Sequence, residues 1–148
     1  MPTILYPDEG ALNKADVIKT ALAGAKLHLF QEGLTLSRGT TLDQLNAVEA
    51  DYDGYTAGGV TITAFLGPGI SPDGGASLFS PTIVFAFASE EPTVSTNAIK
   101  GWYITLTGGE LYNAGNLDAV KQMQVNGNII PMTLEFVEGR VAGSTFDE

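Results

Sequence analysis

Short runs of alternating apolar and polar residues, each closed by glycine or proline, constrain this chain more than any other feature. A run of roughly 4–8 residues bounded by turn signals pairs as a strand and is too short to stand as a helix. From Ala25 the period is two: Leu27, Leu29 and Gln31 share one face, and Lys26, His28 and Phe30 the other, which predicts a strand covered on both sides. Val60–Leu66 is β-branched and aromatic, and Gly67-Pro68-Gly69 and Pro72-Asp73-Gly74-Gly75 after it read as loops. Thr82–Ala88 is the most apolar run and is expected at the centre of a sheet, closed by Glu90-Glu91-Pro92. Ile99–Thr107 is a further strand, and Gly108-Gly109 leads into Glu110–Asn113 with the spacing of a two-residue hairpin. Lys121–Val125 and Ile130–Val137 complete the set, with Asn126-Gly127-Asn128 as a second hairpin signal. Pro131 donates nothing to a ladder, which places it at a strand start or on an edge.

Two segments carry helical spacing instead. Ala11, Ala15, Ile18 and Leu22 fall on one helical face with Asn13, Asp16 and Thr20 opposite, and Gly24 ends the run. The stretch Thr41–Val48 predicts a short helix, capped by Thr40 or Thr41 and favoured by Asp43 in its first turn, before Asp53-Gly54 turns the chain. The expected class is mainly β: an antiparallel β-sandwich or barrel, jelly-roll-like, with a short N-terminal helix and one short inserted helix. No repeat, linker or break in composition marks a second domain, so one domain is expected over residues 1–148 with short arms at Met1–Glu9 and Val141–Glu148.

Composition narrows the function. With 17 acidic against 7 basic residues the formal charge is −10, and the lysines and arginines stand singly, so nucleic acid and anionic membranes are not expected partners. No apolar stretch approaches the ~20 residues of a membrane helix. The first residues lack a basic segment followed by an apolar one, so synthesis in the cytoplasm without a secretory signal is expected. No cysteine is present, which excludes disulfides and thiolate chemistry.

Residue chemistry points away from catalysis. His28 is the single histidine, and it sits in a strand pattern with no serine or carboxylate partner identifiable by motif, so a structural role is expected. Asp51-x-Asp53-Gly54 opens like a calcium loop but lacks the later glycine and glutamate, so it reads as a turn. Asp8-Glu9 and Glu90-Glu91 read as solvated surface, and the glycine pairs have no lysine or helix to complete a phosphate cradle. No catalytic residue, cofactor or metal is expected. Trp102 and Tyr103 are adjacent in a strand and face opposite ways, with Trp102 expected in the core. Tyr52, Tyr55, Trp102 and Tyr103 form the candidate interface set.

Lys26-Leu27-His28-Leu29-Phe30, Thr41-Leu42, Ala50-Asp51-Tyr52-Asp53-Gly54-Tyr55 and Gly101-Trp102-Tyr103-Ile104 together resemble small virion proteins of tailed bacteriophages. The resemblance runs from about Lys26 to Phe136 and leaves out the N-terminal helix. It implies a non-enzymatic capsid decoration, or cement, protein on the outside of the head. Such a protein is a homo-oligomer, commonly a trimer, that stabilises contacts between subunits of the major capsid protein. Two alternatives stand beside it. One is a tail or baseplate component, or receptor-facing module, presenting Tyr52, Tyr55 and Tyr103. The other is a carbohydrate-binding β-sandwich with an aromatic platform at Trp102 and Tyr103.

Overall fold

A computed structural model describes residues 8–63, 65–70, 76–89 and 98–138. They form α1 (Asp8–Ala21), β1 (Lys26–Gln31), α2 (Leu42–Ala47), β2 (Val60–Thr61), β3 (Leu66–Ile70), β4 (Ala76–Phe79), β5 (Ile83–Ala86), β6 (Ala98–Thr105), β7 (Leu111–Gln122), β8 (Ile129–Met132) and β9 (Glu135–Glu138). The fold is mainly β, with antiparallel sheets of order β2-β1-β6-β7, β3-β4-β9 and β5-β8. No closed barrel forms among the described residues, which leaves the sandwich alternative of the expected class.

The chain divides into two compact units. The first combines the segment through Ala23 with Thr63–Thr82 and the segment from Thr133 onward, and the second combines Gly24–Ile62 with Ile83–Met132. Neither is continuous in sequence, so no linker between them can show in composition. Each segment of the second unit closes on itself. Ile62 N–H donates to the Ala25 carbonyl at 2.8 Å, and Ile83 pairs with Met132.

In the first unit α1 lies against β3, β4 and β9. Ala15, at the centre of the predicted helical face, packs on Ala76, and the Leu12 side chain covers the pair. Small residues at that crossing let helix and sheet approach closely. Lys19 Nζ donates to the Gly67 carbonyl at 3.0 Å, which anchors the last turn. Val60–Leu66 is not one strand. Pairing of β2 with β1 covers only Lys26 and Leu27, and the chain then passes to the first unit, where β3 takes in the expected loop Gly67-Pro68-Gly69. A proline is tolerated there because β3 is an edge strand, and its register against β4 shifts between Leu66 and Gly69.

The second unit is built on β1 and β6, both found where their period-two patterns place them. Phe30 pairs with Gly101 and Trp102 with Gly115. A Cβ on Gly101 would run into the Phe30 ring and the Gly115 carbonyl, and one on Gly115 would lie 2.7 Å from Trp102 Cζ2. Each aromatic ring therefore lies flat over the glycine opposite it. On the Phe30 face, α2 closes a cluster of Phe30, Leu45 and Tyr103, flanked by Leu34, Leu36, Leu42 and Val48. Thr41 caps α2 with a reciprocal box: its hydroxyl accepts from Gln44 N–H at 3.3 Å, and Gln44 Oε1 accepts from Thr41 N–H at 2.9 Å.

Three expectations about this unit are corrected. Thr82–Ala88 is not central: among the described residues β5 pairs only with β8, and its outward side leaves Val84 exposed, so its apolar run reflects a half-covered strand. The turn after β6 holds Thr107, Gly108 and Gly109 between Leu106 and Glu110, whose backbones bond at 2.8 Å, so it is longer than a two-residue loop. Lys121 belongs to β7, a single strand whose register against β6 shifts between Ile99 and Gly101. Asn126-Gly127-Asn128 does turn the chain, with Asn128 Oδ1 accepting from Gln124 and Val125 N–H at 3.0 Å, but it joins β7 to β8, which belong to different sheets. Pro131 falls, as expected, on an edge strand. The C-terminal arm, Glu90-Glu91-Pro92 and Pro72–Gly75 lie outside the described residues, as does the N-terminal arm before Asp8.

The glycine–aromatic pairs yield a stability ranking. Gly101→Ala meets backbone as well as ring, so it is expected to cost about 1–3 kcal/mol by overpacking, and Gly115→Ala less, because the Trp102 ring can shift outward. Urea midpoints of the two variants measure this; equal losses would count against the backbone contact as the cause.

Candidate functional site

The second unit gathers polar groups at one end of the face that α2 covers. Period two puts Lys26 and His28 on that face of β1, and the register sets His28 opposite Tyr103 and Lys26 opposite Thr105 on β6. His28 Nδ1 lies 2.8 Å from Glu49 Oε2, and His28 Nε2 lies 2.8 Å from Thr105 Oγ1. A carboxylate only accepts, so Nδ1 donates to Glu49, and in the neutral imidazole Nε2 is then the acceptor that faces the Thr105 hydroxyl. The Tyr55 hydroxyl donates to the same Glu49 oxygen at 2.7 Å while accepting from Leu29 N–H at 3.2 Å. The imidazole stacks on Tyr103 at 4.3 Å, nearly parallel, and the Tyr103 hydroxyl donates to Asn46 Oδ1 at 2.7 Å. Gly59 covers the imidazole closely: a Cβ there would lie 2.9 Å from Nδ1, and its φ of 88° suits glycine.

His28 is 5% exposed and Thr105 8%. Both line a cavity of about 400 Å³ together with Lys26, Asn46, Glu49 and Thr107. The buried polar atoms of this cluster are paired, as a low-dielectric site requires. Burial pushes the Tyr55 phenol far up, with its hydrogen bond to Glu49 and the charge of Glu49 adding to the rise while the Leu29 N–H lowers it. Burial and then the Glu49 charge raise Tyr103 as well.

A second feature lies in the first unit. Leu66, Ile70 and Phe79 are 65%, 45% and 40% exposed and surround a concavity of about 310 Å³ completed by Gly67, Gly69, Ser77 and Glu135. Leu66 pairs directly with Phe79 across β3 and β4, so the apolar groups form one patch. Large side chains clustered at the surface of a water-exposed sheet mark a contact face.

Of the four aromatic residues expected at an interface, two are buried. Tyr103 is the core residue and Trp102 the half-buried one, the reverse of the expected assignment, because α2 covers the Tyr103 face of β6. Tyr52 is buried against Tyr55 and Phe87, and Tyr55 is half-buried with its ring stacked on Phe85. Asp53 lies within the turn closed by Tyr55 N–H on the Tyr52 carbonyl, in which Gly54 takes φ of 97°, Asp51 precedes it, and no cluster able to hold a metal occurs among the described residues. Sequence reasoning missed Glu49 and Thr105 as partners of His28. Thr105 was legible only as a strand residue two positions from Tyr103, and Glu49 carries no local signal. The chain matches no protein-family model, no curated protein and no solved structure.

Tyr52 supplies a pH prediction. Its hydroxyl is buried with no hydrogen-bond partner among the described residues, and burial pushes its phenol from 10.0 up to about 12. The folded state thus holds this proton more tightly than the unfolded state, so stability is fully present below pH 10 and is lost as pH rises from 10 to about 12. Tyr52→Phe is expected to weaken that decline, and at pH 7 to leave stability unchanged or raise it by up to about 1 kcal/mol, since no partner is lost. Urea midpoints across that pH range check both.

Proposed function

We propose that this protein is a structural component of a tailed-bacteriophage virion, a capsid decoration protein that binds the outside of the head across neighbouring major capsid subunits. The observation that carries the reading is the exposed apolar patch of Leu66, Ile70 and Phe79 around its concavity, a surface made for another protein. The sequence resemblance supplies the setting, and the charge of −10 suits a protein that stays soluble and is repelled by packaged DNA. Virion attachment by this patch leaves the polar cavity of the second unit unused.

The carbohydrate-platform alternative rests on Trp102 alone, because Tyr103 is buried and does not reach the surface beside it. The tail alternative differs from the leading one in location, so purified heads and tails of the phage that encodes this chain decide between them.

Phe79→Asp and Leu66→Asp place a charge in the patch at positions that are already solvent-exposed, so folding is expected to survive. Co-sedimentation with purified heads is expected for the parent chain and to fall about 5- to 30-fold for either variant, the effect of removing an anchor worth roughly 1–2 kcal/mol. Binding to tails and not heads would move the protein to the tail, and full head binding by both variants would mean that the patch is not the attachment surface.

A further inference from the structure

The Glu49–His28–Thr105 chain has the order and connectivity of an acid–base–nucleophile relay. The carboxylate meets Nδ1, the opposite nitrogen meets a hydroxyl, and both contacts are 2.8 Å. Three further observations extend the likeness. The Glu49 oxygen that holds the imidazole is itself fixed by the Tyr55 hydroxyl at 2.7 Å, which in turn is fixed by Leu29 N–H. Tyr103 stacks on the ring, and Gly59 packs closely at its Nδ1 and Cε1 atoms, so the imidazole has little room to turn. All three relay residues line one cavity of about 400 Å³, large enough for a small organic molecule. Lys26, directly opposite Thr105 in the ladder, lines the same cavity with an exposed side chain.

We propose that this cavity is an acyl-transfer site for small carboxylic esters, with Thr105 as nucleophile, His28 as general base, Glu49 as the group that orients it and Lys26 as the cation facing the developing oxyanion. Thr105 Oγ1 forms a bond to the ester carbonyl carbon as its proton passes to His28 Nε2. The tetrahedral oxyanion then collapses, the carbon–oxygen bond to the alcohol breaks, and the leaving alkoxide takes the proton from Nε2. Water attacks the acyl-threonine, giving one proton to Nε2, and Thr105 regains that proton as the carboxylic acid departs. The sum is ester and water to acid and alcohol, with no change of oxidation state.

The test uses the full chain and p-nitrophenyl acetate. Nitrophenol release above buffer is expected, with an acetyl group on Thr105 found by peptide mass spectrometry after acid quench. Thr105→Val is expected to remove that adduct, Thr105→Ser to keep it, and Glu49→Gln and His28→Asn to slow release by roughly 10²-fold or more. These effects go beyond a structural role, since a purely structural network shifts unfolding midpoints without placing an acyl group on Thr105. Should Thr105→Val fail to fold, the adduct site in the unaltered chain still decides. Acetyl groups on lysines alone, or no release above buffer, would overturn the proposal. Head binding by the same preparations, scored separately, distinguishes this result from the fate of the virion reading.

Discussion

The pairing of β1 with β6 holds one register because the Phe30 ring occupies the space that a side chain at position 101 would need. A slip of one residue would set Phe30 against Trp102 or Lys100 and turn every inward side chain of β1 outward. The same register places His28 against Tyr103 and Lys26 against Thr105, so the polar cavity and the apolar cluster under α2 are both consequences of one glycine. Trp102 over Gly115 repeats the device one strand further on and on the opposite face, which fixes β7 to β6.

That arrangement also explains the tolerance of a polar centre in an apolar layer. His28 alone would be a costly buried group, but Glu49 and Thr105 pair its two nitrogens and Tyr55 donates to the Glu49 oxygen that holds it. Glu49 comes from the segment just after α2, Tyr55 from the turn beyond it, and Thr105 from the end of β6. The cluster therefore ties three separate stretches of the second unit around one ring. Leu42 and Asn46 of α2 line the cavity beside it, so the helix forms one wall of the polar centre as well as the cover of the apolar cluster.

Much of this was legible in the residues. Alternation found β1 and β6, the Thr40-Thr41 pair announced the start of α2, and Ala15 marked the buried side of α1, with Leu22 buried just past its end. Patterns failed where a local signal had two structural meanings. The run Thr82–Ala88 is apolar enough for a central strand, yet β5 has one partner, and Gly67-Pro68-Gly69 reads as a loop although an edge strand accommodates it. Alternation showed that Trp102 and Tyr103 face opposite ways, but which face α2 would cover is a tertiary fact. Glu49 stayed hidden for the same reason, since only the fold brings it to His28.

The way each segment of the second unit leaves and returns has a kinetic meaning. Residues Ala25 and Ile62 are hydrogen-bonded, and Ile83 and Met132 are paired, so both long excursions of the chain end where they began. To the first unit, an excursion whose ends are already joined is a short connection. The entropy of closing it has been spent within the second unit's own sheets, and contacts among α1, β3, β4 and β9 change from distant in sequence to nearly local. A second unit that formed first would thereby bring the separate segments of the first unit together at a smaller entropic cost than their spacing in sequence implies.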